Sequence, residues 1–106
     1  MAESILLVDD ETDFLDLLGE FLAEQQYEVT TATGGGEALD LLEKQPFHML
    51  LSDINMPVMK GFELLQRASR SHPKVKRALI TAYDVQDYIG LAQKYDIGNI
   101  ITKTSP

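Results

Sequence analysis

Short apolar runs alternate along this chain with apolar positions at helical spacing. The runs at 5–8, 49–51 and 79–80 are continuously apolar, as in strands covered on both faces. Phe14, Leu17, Leu18, Phe21 and Leu22 follow i, i+3, i+4, i+7 and i+8, one helical face, with Asp13, Asp16, Glu20 and Glu24 turned outward. Glu28-Val29-Thr30-Thr31-Ala32 alternates, which predicts a half-covered edge strand. Gly34-Gly35-Gly36 predicts a flexible turn before a short second helix, 37–44, stopped by Pro46. Gly61 opens a third helix from 62 to about 71, which His72-Pro73 ends. Ala78-Leu79-Ile80-Thr81 reads as a fourth strand, residues near 85–95 as a fourth helix and 99–102 as a fifth strand. A βαβαβαβαβ order demands right-handed crossovers, hence an α/β fold with a doubly wound parallel sheet.

Ligands of such sheets sit beyond the carboxyl ends of the strands. Asp9 and Asp10 close the run Ile5-Leu6-Leu7-Val8, Asp53 closes 47–52, and Thr81 and Lys103 fall at the same edge. Like charges about 4 Å apart repel by on the order of 4 kcal/mol at an effective dielectric near 20. A fold that gathers these acids holds them against that repulsion, and a hard divalent cation relieves it. The same carboxylates are potential nucleophiles, while helix capping by Asp10 is the structural alternative.

The chain has 106 residues, 44% of them hydrophobic, which suits one domain with its own core and is too little for two. Its formal charge of −8 argues against direct nucleic acid binding, since phosphate backbones are neutralised by Lys and Arg. Cysteine is absent, which excludes disulfides, thiolate zinc ligation and thiol catalysis. The start, Met1-Ala2-Glu3-Ser4, lacks a basic flank and the apolar runs are strand-sized, so neither a signal peptide nor membrane association is expected, and a cytoplasmic location is. His48 in a buried-type strand and His72 before a proline have no second ligand at metal spacing and read as structural.

Four segments together resemble the receiver domain of two-component response regulators: Leu7-Val8-Asp9-Asp10-Glu11, Asp53-Ile54-Asn55-Met56-Pro57-Val58-Met59-Lys60-Gly61, Leu79-Ile80-Thr81-Ala82, and Lys103. The resemblance spans essentially the whole chain, 1–106. It implies a flavodoxin-like sheet of order 2-1-3-4-5 and a bacterial phosphorelay switch, without turnover of an outside substrate. Asp53 then accepts a phosphoryl group from a histidine kinase or phosphotransfer protein. Asp10, Asp53 and the Asn55 backbone carbonyl hold Mg²⁺, with Asp9 acting through water, and Lys103 and Thr81 meet phosphoryl oxygens. The fourth helix and fifth strand form the face that changes for an output partner or domain. Met56, Pro57 and Met59 shape the loop after the acceptor.

Ile100 stands where receivers usually carry Tyr or Phe, so it either swings toward Thr81 on activation or is a core strand residue. Tyr83 either shields the site from water or is an exposed loop residue. Lys103-Thr104 replaces the family's Lys-Pro, whose peptide bond is characteristically cis. A non-prolyl cis bond costs about 3 kcal/mol, which leaves the isomer here open. Two other functions stay in view: a degenerate receiver used for docking, and a Mg²⁺ aspartyl phosphatase, whose D-x-D after the first strand contrasts with Asp9-Asp10-Glu11 here.

Only Thr104-Ser105-Pro106 follow Lys103, so the fifth helix of a receiver is expected to be missing from this chain. Apolar surface left bare beside the first helix predicts homodimerisation or segment exchange. A strictly monomeric light-scattering mass at high concentration contradicts that expectation.

Overall fold

The computed structural model describes residues 2–81 and the backbone of 100–102. Its elements are β1 (Ser4–Val8), α1 (Thr12–Glu24), β2 (Glu28–Ala32), α2 (Gly35–Lys44), β3 (Met49–Asp53), α3 (Gly61–Ser71), β4 (Lys76–Thr81) and β5 (Ile100–Thr102). All pairings are parallel, in the order β2-β1-β3-β4-β5. The doubly wound sheet expected from the sequence is therefore present. The segment expected to form the fourth helix, 85–95, lies outside the described residues. No helix among the described residues is long and apolar enough to cross a membrane.

Alternate strand residues serve opposite faces, and two cores result. Leu6, Val8, Leu50 and Leu79 pack with Ala38 and Leu42 of α2 and Phe62, Leu65 and Ala68 of α3. Leu7, Leu51, Ala78 and Ile80 pack with Leu15 of α1. Burying a large aliphatic side chain contributes about 1.5–3 kcal/mol, so these strands need both layers. β2 is exposed or half-covered until Ala32, as its alternating sequence predicts.

Helix α1 keeps part of its expected face, with Phe14 and Leu18 packed against the core, but is rotated toward Leu15. Leu15 is 2% exposed and belongs to the core on this face, whereas Leu17 and Phe21 are 69% and 55% exposed. The apolar arc of α1 is wider than the contact the sheet offers, and Gly19 faces Val29 and Thr31 of β2, which fixes the inward side.

Three further boundaries and one environment differ from the sequence reading. Strand β4 starts two residues early, at Lys76, because the ladder with β3 continues through Met49 and Leu50. β3 itself extends through Asp53, which pairs with Ile80. Gly35 and Gly36 form the first turn of α2, not a flexible turn. Glu37 supports that start by accepting the Thr33 N–H at 2.8 Å, which ties the first turn back to the residue before the N-cap Gly34. His48 is exposed, not buried; its Nδ1 accepts the Ser4 N–H at 2.9 Å where the β1–β3 ladder ends. His72 Nε2 lies 3.2 Å from Glu43 and ties the end of α3 to α2.

The rotation of α1 has a direct test in urea denaturation. Leu15→Ala is expected to cost about 3 kcal/mol, as a buried Leu→Ala change does, and Leu17→Ala less than about 0.5 kcal/mol. Equal costs would return α1 to the orientation its periodicity suggests.

Candidate functional site

The parallel register decides what meets at the carboxyl edge. Val8 of β1 pairs with Ser52 of β3, so Asp9 and Asp53 follow on the same rung. Asp9, Asp10 and Asp53 converge there, each offering a carboxylate oxygen, with these oxygens all within 4.8 Å of one another. Asp9 is fully buried and Asp53 is 7% exposed, while Asp10 is open to solvent. Asp9 is oriented from both ends. Its N–H donates to the Ala32 carbonyl at 3.1 Å, and its Oδ1 accepts the Glu11 N–H at 2.9 Å. Glu11 occupies the N-cap position of α1 and makes no side-chain capping bond.

Asp53 pairs in register with Ile80, which sets Thr81 one residue beyond that rung, fully buried at the end of β4. Thr81 in turn pairs with Thr102, after which Lys103 follows in the chain. Lys103 and Tyr83 lie outside the described residues, as do the Lys103-Thr104 bond and the side chain of Ile100, whose backbone pairs with Leu79.

After Asp53 the chain forms a tightly tied loop. Ile54, Met56 and Met59 are buried, while Asn55, Pro57 and Val58 face solvent. The Gly61 N–H donates to the Ile54 carbonyl at 2.9 Å and closes the loop at its base. At the tip the Met59 N–H donates to the Pro57 carbonyl at 2.8 Å across Val58, whose φ is 70°. That is a three-residue turn with a β-branched residue in the left-handed region, a strained arrangement that persists only where its surroundings fix it. Sequence reasoning missed this strain, because Val58 carries no Gly or Asn signal. Gly61 is required for space: a Cβ there would overlap the Asp53 carbonyl.

The donor set is chemically uniform. Three carboxylates, two withdrawn from water and one open to it, suit a hard cation that prefers oxygen and retains several waters, so the residues fit magnesium. Asn55, two residues past Asp53, is exposed.

Residues 5–106 match the response regulator receiver domain family, and the chain belongs to it. It is thus a phosphoacceptor signalling module of two-component systems, not a classical enzyme. It is 37% identical over 98 residues to a response regulator receiver protein of Anaeromyxobacter, a match covering 92% of this chain and 41% of that protein. The chain therefore spans less than half of that relative. Among solved structures it resembles a CheY-like receiver domain protein of Methanospirillum hungatei at a TM-score of 0.91 and 32% identity, covering 100% of this chain and 85% of that one. It also resembles the response regulator TrrA of Thermotoga maritima in complex with Mg²⁺ and beryllofluoride, at a TM-score of 0.87 and 31% identity, covering 96% of this chain and 87% of that one.

Two substitutions test the loop geometry. Gly61→Ala is expected to destabilise the fold by about 2–4 kcal/mol through backbone overlap. Val58→Asn, which tolerates positive φ, is expected to stabilise it by about 1 kcal/mol. Denaturant midpoints check both, and a destabilising Val58→Asn would show that the turn is not strained.

Proposed function

We propose that this chain is a phosphorylation switch in which Asp53 takes a phosphoryl group from a phosphohistidine of a kinase or phosphotransfer protein. An Asp53 carboxylate oxygen attacks phosphorus, the P–N bond breaks, and its electron pair leaves on the imidazole nitrogen. The product is an acyl phosphate, which water later cleaves to restore the carboxylate and release inorganic phosphate. The observation that carries this reading is the convergence of Asp9, Asp10 and Asp53 within 4.8 Å at the carboxyl edge of the sheet.

Asp10 and Asp53, with the Asn55 carbonyl, are the groups to hold Mg²⁺, and Asp9 supports them through a bound water. The cation, when bound, neutralises phosphoryl oxygens and lets an anionic nucleophile approach them. The burial of Asp9 and Asp53 supports the assignment, because a carboxylate fixed in position loses little freedom when it reacts. The exposure of Asp10 supports exchange of cation and waters with solvent. Thr81, at the end of the neighbouring strand, is the hydroxyl to donate to a phosphoryl oxygen, and Lys103 is the ammonium to pair with another. Likeness to a receiver solved with Mg²⁺ and beryllofluoride supports both the metal and the acceptor chemistry.

Phosphorylation adds roughly −1.5 to −2 charges and three acceptor oxygens to a site already crowded with acids. Moving a two-state surface from 1:99 to 99:1 takes about 5.5 kcal/mol of differential stabilisation. Charge-assisted hydrogen bonds from Thr81, Lys103 and a backbone amide are the local source of that preference. The altered surface, near β5 and the segment before it, then engages an output partner or domain.

Beryllofluoride with Mg²⁺ is expected to shift amide resonances around Asp53 and Thr81, and Asp53→Asn to abolish those shifts while leaving the domain folded. An unchanged wild-type spectrum would refute the switch.

A further inference from the structure

We infer that Gly35, at the start of α2, is a positioning residue for the metal-binding loop and acts through Met59. The inference rests on the magnesium reading given above. Gly35 is buried, and a Cβ built on it would lie 2.6 Å from Met59 Sδ, 3.0 Å from its Cβ and 3.1 Å from its Cγ. Three atoms of one side chain, including the Cβ fixed to the backbone, therefore occupy the space that any other residue at 35 needs. Gly36, next in the helix, has nothing within 4 Å of its Cβ position. Crowding is thus specific to one glycine of the triplet Gly34-Gly35-Gly36.

Met59 is also the residue that closes the strained turn. Its N–H holds the Pro57 carbonyl at 2.8 Å across Val58, and its side chain is buried among the core residues beneath α2 and α3. Elsewhere the loop from Asp53 to Gly61 is held by Ile54 and Met56 inside and by the Gly61–Ile54 hydrogen bond at the base. Asn55 lies between those anchors. Strain at Val58 favours any relaxation that a displaced Met59 allows, and the relaxation is passed along a short loop to the Asn55 carbonyl. Magnesium tolerates little error in ligand position, since its oxygen ligands sit near-octahedrally at about 2.0–2.1 Å. The close seating of α2 against Met59 therefore sets the cation affinity of a loop that α2 itself does not belong to.

Magnesium titrations followed by amide shifts of Asp53 and Asn55, paired with urea denaturation, test this. Gly35→Ala is expected to weaken Mg²⁺ binding about tenfold, the range seen when a supporting residue of a metal site is lost, and Gly36→Ala to leave it unchanged. In a Met59→Ala background, which removes Sδ and Cγ and leaves only the Cβ at 3.0 Å, Gly35→Ala is expected to cost less than about twofold, the mark of residues that act on each other. A folded Gly35→Ala variant that is less stable but binds Mg²⁺ as the wild type does would overturn the inference, as would equal costs in both backgrounds. If Gly35→Ala does not fold, the volume-conserving Met59→Leu is the substitute, expected to weaken binding about threefold, and unchanged affinity there overturns it. Absence of Mg²⁺ binding by the wild type overturns the metal reading itself, a result distinct from the others.

Discussion

Mutual repulsion among three carboxylates is the constraint around which the carboxyl edge of this sheet is organised. Asp9, Asp10 and Asp53 come within 4.8 Å of one another although nothing in their own chemistry favours it. What brings them together is the parallel register of β1 and β3, in which Val8 meets Ser52 and the next residue of each strand is an acid. That register is itself held by apolar burial on both faces of the sheet. Leu6, Leu7, Leu50 and Leu51 alternate between two helical layers, and a one-residue slip would reverse the face of every one of them. Hydrophobic energy spread over the strands thus opposes electrostatic strain confined to their ends.

The same division of labour continues into the loop after Asp53. Two buried methionines and an isoleucine pin a segment whose tip is strained at Val58, and Gly61 lets the helix start directly beneath the Asp53 carbonyl. Under the proposed function, a loop held this way would offer the Asn55 carbonyl without having to order itself when a cation arrives. The acids and the loop lie on one side, and Thr81 stands at the end of the next strand. Under the proposed function, a new charge at Asp53 would meet the acid cluster on one side and the end of a neighbouring strand on the other.

Much of this was legible in the sequence, for physical reasons that also mark where legibility stopped. Continuous apolar runs identify doubly covered strands, and acids directly after two of them locate the site, because strand ends and side-chain character are local properties. The rotation of α1 was not legible: its apolar arc runs from Leu15 to Leu17, and periodicity alone cannot say which edge the sheet covers. Gly34-Gly35-Gly36 read as a flexible turn, since glycine disfavours helix by itself. The close approach of Met59, a contact distant in sequence, is what requires Gly35 inside the helix. His48 reads as buried from its neighbours, yet it lies at a strand end where its ring stands in for a ladder partner of Ser4. Lys103, Tyr83 and the segment 82–99 lie outside the described residues, and their roles rest on the resemblance of the sequence alone.

On the proposed reading, a single oxygen-lined cation site forms where Asp9, Asp10 and Asp53 converge. Paramagnetic broadening of amide resonances by substoichiometric Mn²⁺ locates such a site. The expected result is selective loss of signals from residues 8–11 and 52–56, with Asp10→Asn sharply reducing the effect. Equal broadening along the acidic outer face of α1, at Asp13, Asp16, Glu20 and Glu24, would contradict it, because the carboxylates would then act as diffuse surface charge.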